Sequence, residues 1–321
     1  MVRPALILPP EPDDRWQLAR QMDVRDAVIH PLEIGDGRTK WTAGDLHRLK
    51  TWLAERELRF AVLEGSIPLT DRVRFGREGR DEDIETFKRF IRACGRVGIP
   101  TVCYDWMGGK RWARTGVHIE DRGGSLVSGY DNAVELPGDA PGADRDPEDL
   151  WAALEHFLAE VIPVAEDAGV ALGLHPDDPP RESVSGIPRI INSPAAYERV
   201  LETYQSPANG ITFCQGNFAA MGVDVPATIE RFGEHIAFIH FRDVEGDADG
   251  FVETWHDDGP TDMLAAMAAY EAHVADDVVM RPDHVPTMAG EDNSNPGYHT
   301  NGRLFAIGYM RGLREAVLAG D

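Results

Sequence analysis

The sequence predicts an α/β protein folded as a single (β/α)8 barrel, the TIM-barrel architecture. Short apolar runs alternate with longer amphipathic segments along the chain, which is the pattern of repeated strand–helix units around a parallel sheet. The length of 321 residues suits one such barrel, because barrels of this kind span about 200 to 400 residues as one domain. A doubly wound open sheet is the alternative that the same alternation allows.

The predicted strands are short runs rich in Val, Ile, Leu and Phe, as expected for strands that are buried on both faces. They cover residues 26–30, 59–64, 101–104, 170–175, 211–214, 236–240, 251–255 and 278–281. With helices between them, these strands assign residues 1–321 to one barrel domain.

Helix signals lie between the strands. Asp146 precedes Pro147 as a capping carboxylate before a first-turn proline, and Gly169 marks the end of that helix. Residues 81–97 begin with acidic and end with basic side chains, which complements the helix dipole. A final helix over residues 303–318 carries apolar side chains at helical spacing.

One segment does not fit the repeat. Residues 105–145, after the third predicted strand, are rich in Gly, Pro and Asp and show no sustained periodicity. A loop of this length is uncommon within a compact domain and is usually functional, for example as a lid. Because it follows a strand of a parallel barrel, we predict that it is an active-site loop over the carboxyl-terminal mouth.

The chain is strongly acidic, with 55 Asp and Glu against 32 Lys and Arg and a formal net charge of −23. Nucleic acid and anionic membrane surfaces are therefore not expected as partners, since both repel such a surface. Lysine occurs only at Lys40, Lys50, Lys88 and Lys110. This composition fits a halophilic protein whose self-repulsion is screened by concentrated salt; an ordinary acidic protein from a GC-rich genome is the alternative.

Three cysteines without paired spacing, Cys94, Cys103 and Cys214, argue against a disulfide framework and favour a reducing compartment. Residues 1–15 contain prolines and acids where a signal peptide needs an apolar core. No run approaches the roughly 18 apolar residues of a membrane span. We therefore expect a soluble, cytoplasmic protein.

Polar residues able to bind a metal or transfer a proton end one predicted strand after another. They are Glu64, Asp105, His175, Cys214, His240 and the adjacent Asp283 and His284. Barrel enzymes keep their active sites at the carboxyl ends of the strands, so these side chains are expected to converge there.

Four of these residues offer two imidazoles, one thiolate and one carboxylate, a mixed donor set for one divalent transition metal. They are His175, Cys214, His240 and Asp283. Taken singly, such a histidine is more often a satisfied core residue, and such a cysteine a small buried hydrophobe. Jointly, that interpretation requires four coincidences at the same end of four strands, so we predict a metal site for Zn²⁺, Fe²⁺ or Mn²⁺.

A second cluster follows the last predicted strand. Arg281 offers a planar fork that can hold a carboxylate through two hydrogen bonds. His284, next to a predicted metal ligand, and Tyr298, on an Asn-Pro-Gly turn, are candidates for proton transfer. The structural alternatives are that Arg281 pairs with surface acids and that Tyr298 only buries its ring.

Longer motifs around these positions resemble one enzyme family, the mannonate dehydratases. The motifs are Leu-His-Pro-Asp-Asp-Pro-Pro at 174–180, Gly-Ile-Pro-Arg-Ile at 186–190, Gly-Ile-Thr-Phe-Cys-Gln-Gly at 210–216, Ile-His-Phe-Arg at 239–242, His-Asp-Asp-Gly at 256–259, Met-Arg-Pro-Asp-His at 280–284, Asn-Pro-Gly-Tyr at 295–298, Glu-Gly-Ser-Ile-Pro at 64–68 and Trp-Ala-Arg-Thr at 112–115. The resemblance extends over residues 15–313, nearly the whole chain.

This resemblance implies a TIM-barrel lyase of sugar-acid and hexuronate degradation that converts D-mannonate to 2-keto-3-deoxy-D-gluconate, usually with manganese. The metal ligands that it implies are His175, Cys214, His240 and Asp283. It assigns proton transfer to Tyr298 and His284. The predicted substrate-binding residues, all within the shared motifs, are Arg281, Arg242, His256 and Ser66.

The chain departs from the family pattern in three places. A His-His pair after the first predicted strand is His30-Pro31 here, and Asn-Phe-Met-Pro after the third is Asp-Trp-Met-Gly at 105–108. The motif Arg-Pro-Asp-His-Gly-His ends in Val285-Pro286, so one histidine is lost. These loops are predicted to line the sugar, so the departures bear on the substrate more than on the type of reaction.

Three other functions stay open. The first is a sugar isomerase or epimerase on a similar metal-binding barrel, and the second is a dehydratase of a related aldonic acid. The third is a non-catalytic sugar- or metal-binding protein, against which the intact proton-transfer residues argue. The expected partner is a small sugar acid, and a homo-oligomer is compatible with the sequence.

Overall fold

Eight parallel strands close into a barrel in the computed structural model, which describes residues 1–30, 41–65 and 68–320. The barrel strands are β1 Arg3–Leu8, β2 Asp26–Ile29, β3 Arg59–Glu64, β4 Thr101–Asp105, β5 Ala171–His175, β6 Asn209–Cys214, β7 Ile236–Phe241 and β8 Val279–Pro282. The sheet closes because β1 pairs in parallel with both β2 and β8. The predicted (β/α)8 barrel is confirmed.

The structure corrects two strand assignments. Residues 3–8 form β1 and are absent from the predicted strands, because Pro4, Pro9 and Pro10 obscure their strand pattern. The prediction of residues 251–255 as a barrel strand is wrong, since Gly250–Glu253 pairs with strands outside the barrel. The first six predicted strands are therefore β2 to β7.

Helices surround the barrel in the described ranges. They are α1 Asp14–Gln21, α2 Ala43–Ala54, α3 Asp71–Arg74, α4 Arg80–Val97, α5 Pro147–Ala168, α6 Pro194–Thr203, α7 Gln215–Ala220, α8 Val225–Phe232, α9 Met263–His273 and α10 Thr300–Gly320, with 3-10 turns at Arg122–Gly124 and Gly233–His235. The predicted ends of α5 are confirmed. Asp146 accepts a hydrogen bond from the backbone of Asp149, and Gly169 ends the helix with φ of 64°.

A four-stranded antiparallel sheet, here named the accessory sheet, lies outside the barrel. Its strands are, in spatial order, Val244–Asp247, Gly250–Glu253, Ser125–Asp131 and Gly116–Asp121. Two of them come from residues 105–145, so the expectation of an irregular loop there is wrong. A register shift between Gly116 and Ile119 interrupts their pairing, and such breaks hide strand periodicity in the sequence. A short hairpin joins Ser183–Val184 to Ile187–Pro188.

Apolar side chains fill both sides of the barrel wall. Those inside the barrel are Ala5, Val28, Ala61, Val62, Cys103, Phe238 and Val279. Outside it, helices pack on the strands, as where Phe87 of α4 meets Phe157 of α5 with ring centroids 5.2 Å apart. Within the described ranges, none of the helices combines the length and the hydropathy needed to span a lipid bilayer.

Candidate active site

The polar residues at the strand ends meet at the carboxyl-terminal mouth of the barrel. They are Glu64 of β3, Asp105 of β4, His175 of β5, Cys214 of β6, His240 of β7 and Asp283 directly after β8. All of them are buried. The strand register places neighbouring site residues at the same height along the barrel. Cys214 pairs with His240 across β6 and β7, and His240 pairs with Arg281 across β7 and β8.

His175, Cys214 and His240 bring three donor atoms within 4.8 Å of one another. Nε2 of His175 lies 3.2 Å from Nδ1 of His240. Asp283 adjoins them, with Oδ2 at 3.7 Å from both Sγ of Cys214 and Nδ1 of His240. Two nitrogens bound about 2.1 Å from one ion stand about 3 Å apart, so the spacing suits a shared cation. The four predicted ligands thus lie together, and metal binding by them stays a prediction.

A potential hydrogen-bond acceptor adjoins the second nitrogen of each imidazole. Nδ1 of His175 lies 2.7 Å from the carbonyl oxygen of Pro176, which can only accept, so this nitrogen donates and Nε2 keeps a lone pair. Nε2 of His240 lies 3.3 Å from Oε1 of Glu64, and Nδ1 of His240 faces the other donors. Metal-binding histidines are commonly held in this way by a carbonyl or carboxylate on the second nitrogen.

Burial sets the protonation of the donors. It lowers the pKa of His175, and burial with the charge of Arg281 lowers the pKa of His240 to about 4, so both imidazoles are neutral near pH 7. Burial also opposes charge on Asp283, but Arg281 holds the pKa of this carboxyl well below its usual range. Burial raises the pKa of the Cys214 thiol, so its thiolate requires a bound cation.

Arg281 is engaged with two buried carboxylates. Its Nε donates to Oε2 of Glu64 at 2.8 Å, its Nη2 donates to Oε1 of the same residue, and its Nη1 donates to Oδ1 of Asp283 at 2.6 Å. The alternative in which Arg281 pairs with surface acids is therefore wrong. The guanidinium of Arg281 faces Glu64. That Arg281 binds a substrate carboxylate stays a prediction.

A second donor group shares a residue with the first. Ligand atoms of Glu64, Cys103 and His240 also lie within 4.8 Å of one another. Arg281 already holds both oxygens of Glu64, and burial raises the pKa of the Cys103 thiol well above its usual range. The first group, with two neutral imidazoles facing each other, is the better donor set for a cation.

A network of buried charges joins the barrel to the accessory sheet. Arg114, which precedes the accessory strand Gly116–Asp121, donates to both oxygens of Asp178 at 2.6 and 3.0 Å and to Oε1 of Glu253 at 2.7 Å. Arg242, which follows β7, lies 3.2 Å from Asp178, 3.2 Å from Glu253 and 3.4 Å from Asp283. Burial opposes charge on Asp178, but Arg114 and Arg242 hold the pKa of its carboxyl below its usual range.

Sequence reasoning gave no role to Arg114, Asp178 or Glu253. The first two lie within motifs shared with the family, at 112–115 and 174–180, so a signal for them existed. Glu253 had no such motif signal, because the strand that contains it was predicted as a barrel strand.

The two candidate proton-transfer residues adjoin the donor set. The Tyr298 hydroxyl lies 3.4 Å from Oδ1 of Asp283 and donates to it. The His284 and Tyr298 ring centroids are 5.3 Å apart, and Nε2 of His284 lies 3.9 Å from Oδ2 of Asp283. Burial raises the pKa of Tyr298 and lowers that of His284 well below its usual range, so both are neutral near pH 7.

The other predicted residues lie in different surroundings. Nε2 of His256 donates to the carbonyl oxygen of Phe241 at 2.8 Å, which ties this ring to the β7 backbone. Asp105 forms ion pairs with Arg74 and Arg111. Ser66 lies outside the described residues. The substrate roles of His256 and Ser66 stay predictions.

Comparisons with known proteins match most of the chain to one enzyme family. A family model described as D-mannonate dehydratase (UxuA) matches residues 18–138 and 142–320. A mannonate dehydratase of Oceanobacillus iheyensis is 34% identical over 323 residues, which cover 92% of this chain and 90% of that protein. Another, of Streptococcus pneumoniae, is 34% identical over 322 residues, covering 90% of this chain and 86% of that protein.

Of two similar solved structures, one supports the same family and the other shows the fold. The crystal structure of mannonate dehydratase from Streptococcus suis serotype 2 is similar with a TM-score of 0.91 at 32% identity, covering 99% of this chain and 94% of that one. An L-ribulose 3-epimerase, at 15% identity and a TM-score of 0.63, covers 100% of this chain and 97% of its own, and shares the fold alone. From the family model and these relatives, the chain belongs to the mannonate dehydratase family.

Proposed function

We propose that this chain is a hydro-lyase that converts D-mannonate to 2-keto-3-deoxy-D-gluconate. The observation that carries the proposal is one residue, Asp283, which adjoins the Cys214 and His240 donors and also accepts from the Tyr298 hydroxyl. The candidate metal ligands therefore adjoin Oδ2 of this carboxylate, and a candidate proton-transfer group adjoins Oδ1. This arrangement is what dehydration of a sugar acid requires, because charge and a proton must be handled at neighbouring carbons.

Mn²⁺ is the proposed metal, with Fe²⁺ and Zn²⁺ as alternatives. The residues fit such an ion, because two neutral imidazoles and a carboxylate with a depressed pKa surround a thiol whose proton a cation would displace. His175, Cys214, His240 and Asp283 would hold it. When bound, the cation supplies positive charge that acidifies the hydrogen next to the substrate carboxylate.

The proposed chemistry removes one proton and one hydroxyl from adjacent carbons. With Tyr298 as base, its proton first passes to His284; the phenolate then takes the C2 proton, and the imidazolium of His284 delivers a proton to the C3 hydroxyl, which leaves as water. The enol that remains tautomerises to the 2-keto acid. Burial raises the pKa of Tyr298, and the charges of Arg281 and Arg303 oppose that shift. The reverse assignment, with His284 as base and Tyr298 as acid, uses the same atoms.

Substrate binding is assigned to Arg281, Arg242, His256 and Ser66. Both arginines carry the positive charge that a substrate carboxylate requires, and both already hold protein carboxylates. Residues 105–145, as part of a single barrel domain, are proposed to cover the site. In that segment the ring centroid of Trp112 lies 6.2 Å from that of His175, and Trp112 is partly exposed. A cover at this distance would exclude water during the reaction.

The test is an assay of D-mannonate with the purified chain and added Mn²⁺. We expect a 2-keto acid whose mass is lower than that of the substrate by one water. A sugar isomerase or epimerase would give a product of unchanged mass. A panel of other aldonic acids identifies a dehydratase of different specificity, and ligand binding without turnover of any sugar acid would overturn the proposal.

A further inference from the structure

Glu253 is a buried carboxylate that extends from the accessory sheet to the candidate active site. It ends the strand Gly250–Glu253 and is 2% exposed. Its Oε1 accepts from Arg114 and lies 3.7 Å from Nδ1 of His284. Within the described part of the chain, neither Oε2 of Glu253 nor Nδ1 of His284 has a hydrogen-bond partner.

The two arginines do not by themselves explain a carboxylate at this position. Asp178 already receives two hydrogen bonds from Arg114 and one from Arg242. A buried carboxylate with an unpaired oxygen costs folding free energy, and burial raises the pKa of Glu253 to about 7 despite both arginines. Among the described residues, Nε of Arg114, Nε of Arg242 and Nδ1 of His284 also lack hydrogen-bond partners, and of these three only the imidazole belongs to a candidate proton-transfer residue.

The contacts of His284 place its two ring nitrogens on different sides of the ring's surroundings. The residue has a left-handed backbone with φ of 38°, and its ring packs beside Tyr298. A Cβ added at Gly297 would lie 2.9 Å from Nδ1, so glycine there makes room for this nitrogen. Nδ1 lies 3.7 Å from Oε1 of Glu253, while Nε2 lies 3.9 Å from Oδ2 of Asp283, on the side of the candidate metal ligands.

We propose that Glu253 is a positioning residue that accepts a hydrogen bond from Nδ1–H of His284 and thereby makes Nε2 the nitrogen that exchanges a proton with substrate. The proposal rests on the proposed function, in which His284 transfers a proton. A base held by a third group is a recurrent arrangement in proton-transfer sites. The separation of 3.7 Å exceeds a hydrogen bond, and such contacts often shorten when substrate binds.

The kinetic test is Glu253→Gln, which keeps the size of the side chain and an acceptor oxygen for Arg114 but removes the charge. We expect kcat for D-mannonate to fall about ten- to a hundredfold, with KM and Mn²⁺ content unchanged. Glu245→Gln, an exposed change in the same sheet, is the matched control and should match wild type. A Glu253→Gln enzyme with kcat within twofold of wild type would overturn the proposal.

A spectroscopic test needs no turnover. Ring ¹⁵N signals of histidine are recorded on the full chain supplied with diamagnetic Zn²⁺, and His284→Gln identifies the signal of interest. We expect the proton of His284 on Nδ1 in wild type and a mixture of tautomers in Glu253→Gln. In Asp178→Asn, which loses a partner of the same arginines, the thermal midpoint should fall while the tautomer is kept.

A wild-type proton on Nε2, or the same tautomer change in Asp178→Asn, would show that Glu253 is only a counter-ion. If Glu253→Gln does not fold, the wild-type spectrum still decides. Absence of mannonate turnover by wild type would reject the proposed function and leave this result unaffected.

Discussion

Cys214 is the donor whose chemistry depends most on a bound cation. We predict that Cys214→Ser loses metal and turnover together, because a serine hydroxyl at this buried position does not ionise or supply a soft ligand. Mn²⁺ content, measured by elemental analysis after gel filtration, and mannonate turnover are the readouts. Cys94→Ser, also buried but in α4, is the control and should keep both. Full activity in a metal-depleted Cys214→Ser enzyme would contradict the metal site.

The Tyr298 hydroxyl can be removed without changing the volume of the ring. We predict that Tyr298→Phe lowers kcat by about 10²- to 10⁴-fold, with Mn²⁺ content unchanged, because only the proton-transfer group is lost. Tyr309→Phe, on the half-buried side of α10, is the matched control.

Exchange of the C2 hydrogen with heavy water then separates the two roles. If Tyr298 is the base, exchange stops in Tyr298→Phe and continues in His284→Gln; the opposite result assigns the base to His284. A Tyr298→Phe enzyme with wild-type turnover would remove Tyr298 from the reaction.

The turn that carries Gly297 shows how one loop shapes the site. Gly297 and Gly290 both have left-handed backbones, with φ of 83° and 89°. Only Gly297 has the His284 ring where a Cβ would lie; at Gly290 nothing is within 4 Å. We predict that alanine at either position lowers stability by about 1–2 kcal/mol through backbone strain, while only Gly297→Ala lowers kcat. Thermal unfolding and turnover check this, and equal turnover in the two variants would argue against it.

The strand ends were predictable and the accessory sheet was not, for a physical reason. In a parallel barrel every strand runs the same way, so a polar residue at the end of each apolar run predicts both position and chemistry, as for His175 and Cys214. Antiparallel strands such as Ser125–Asp131 and Gly250–Glu253 pair segments far apart in the chain, and no local pattern encodes that pairing. Glu253 could therefore be located only from the coordinates.

β1 is a similar case. Prolines at positions 4, 9 and 10 contradict a strand locally, but pairing with β2 and β8 overrides that preference. The Arg281 contacts with Glu64 and Asp283 also depend on tertiary geometry, since the fork alone does not reveal which carboxylate it holds.

The acidic composition is a property of the whole molecule. With a formal charge of −23, the folded chain is under repulsion that salt screens over about 10 Å at 0.1 M and about 3 Å at 1 M. We predict that the thermal unfolding midpoint rises between 0.1 and 2 M KCl. Sucrose at matched osmolality is the control, because it stabilises by exclusion from the protein surface without screening charge, and the rise in KCl should exceed the rise in sucrose. An unfolding midpoint that stays level or falls in KCl would contradict salt adaptation and favour the alternative of an ordinary acidic protein from a GC-rich genome.

The pairing of Asp131 with Gly250 has a consequence for how the molecule assembles. It joins segments separated by three of the eight barrel strands, β5 to β7, and a closure of this length is entropically unfavourable until the intervening chain has folded. The sheet is therefore expected to form after these three strands during folding. A folding intermediate between the two steps would contain side chains proposed to bind the cation. The part of the active site that the accessory sheet contributes would still be missing.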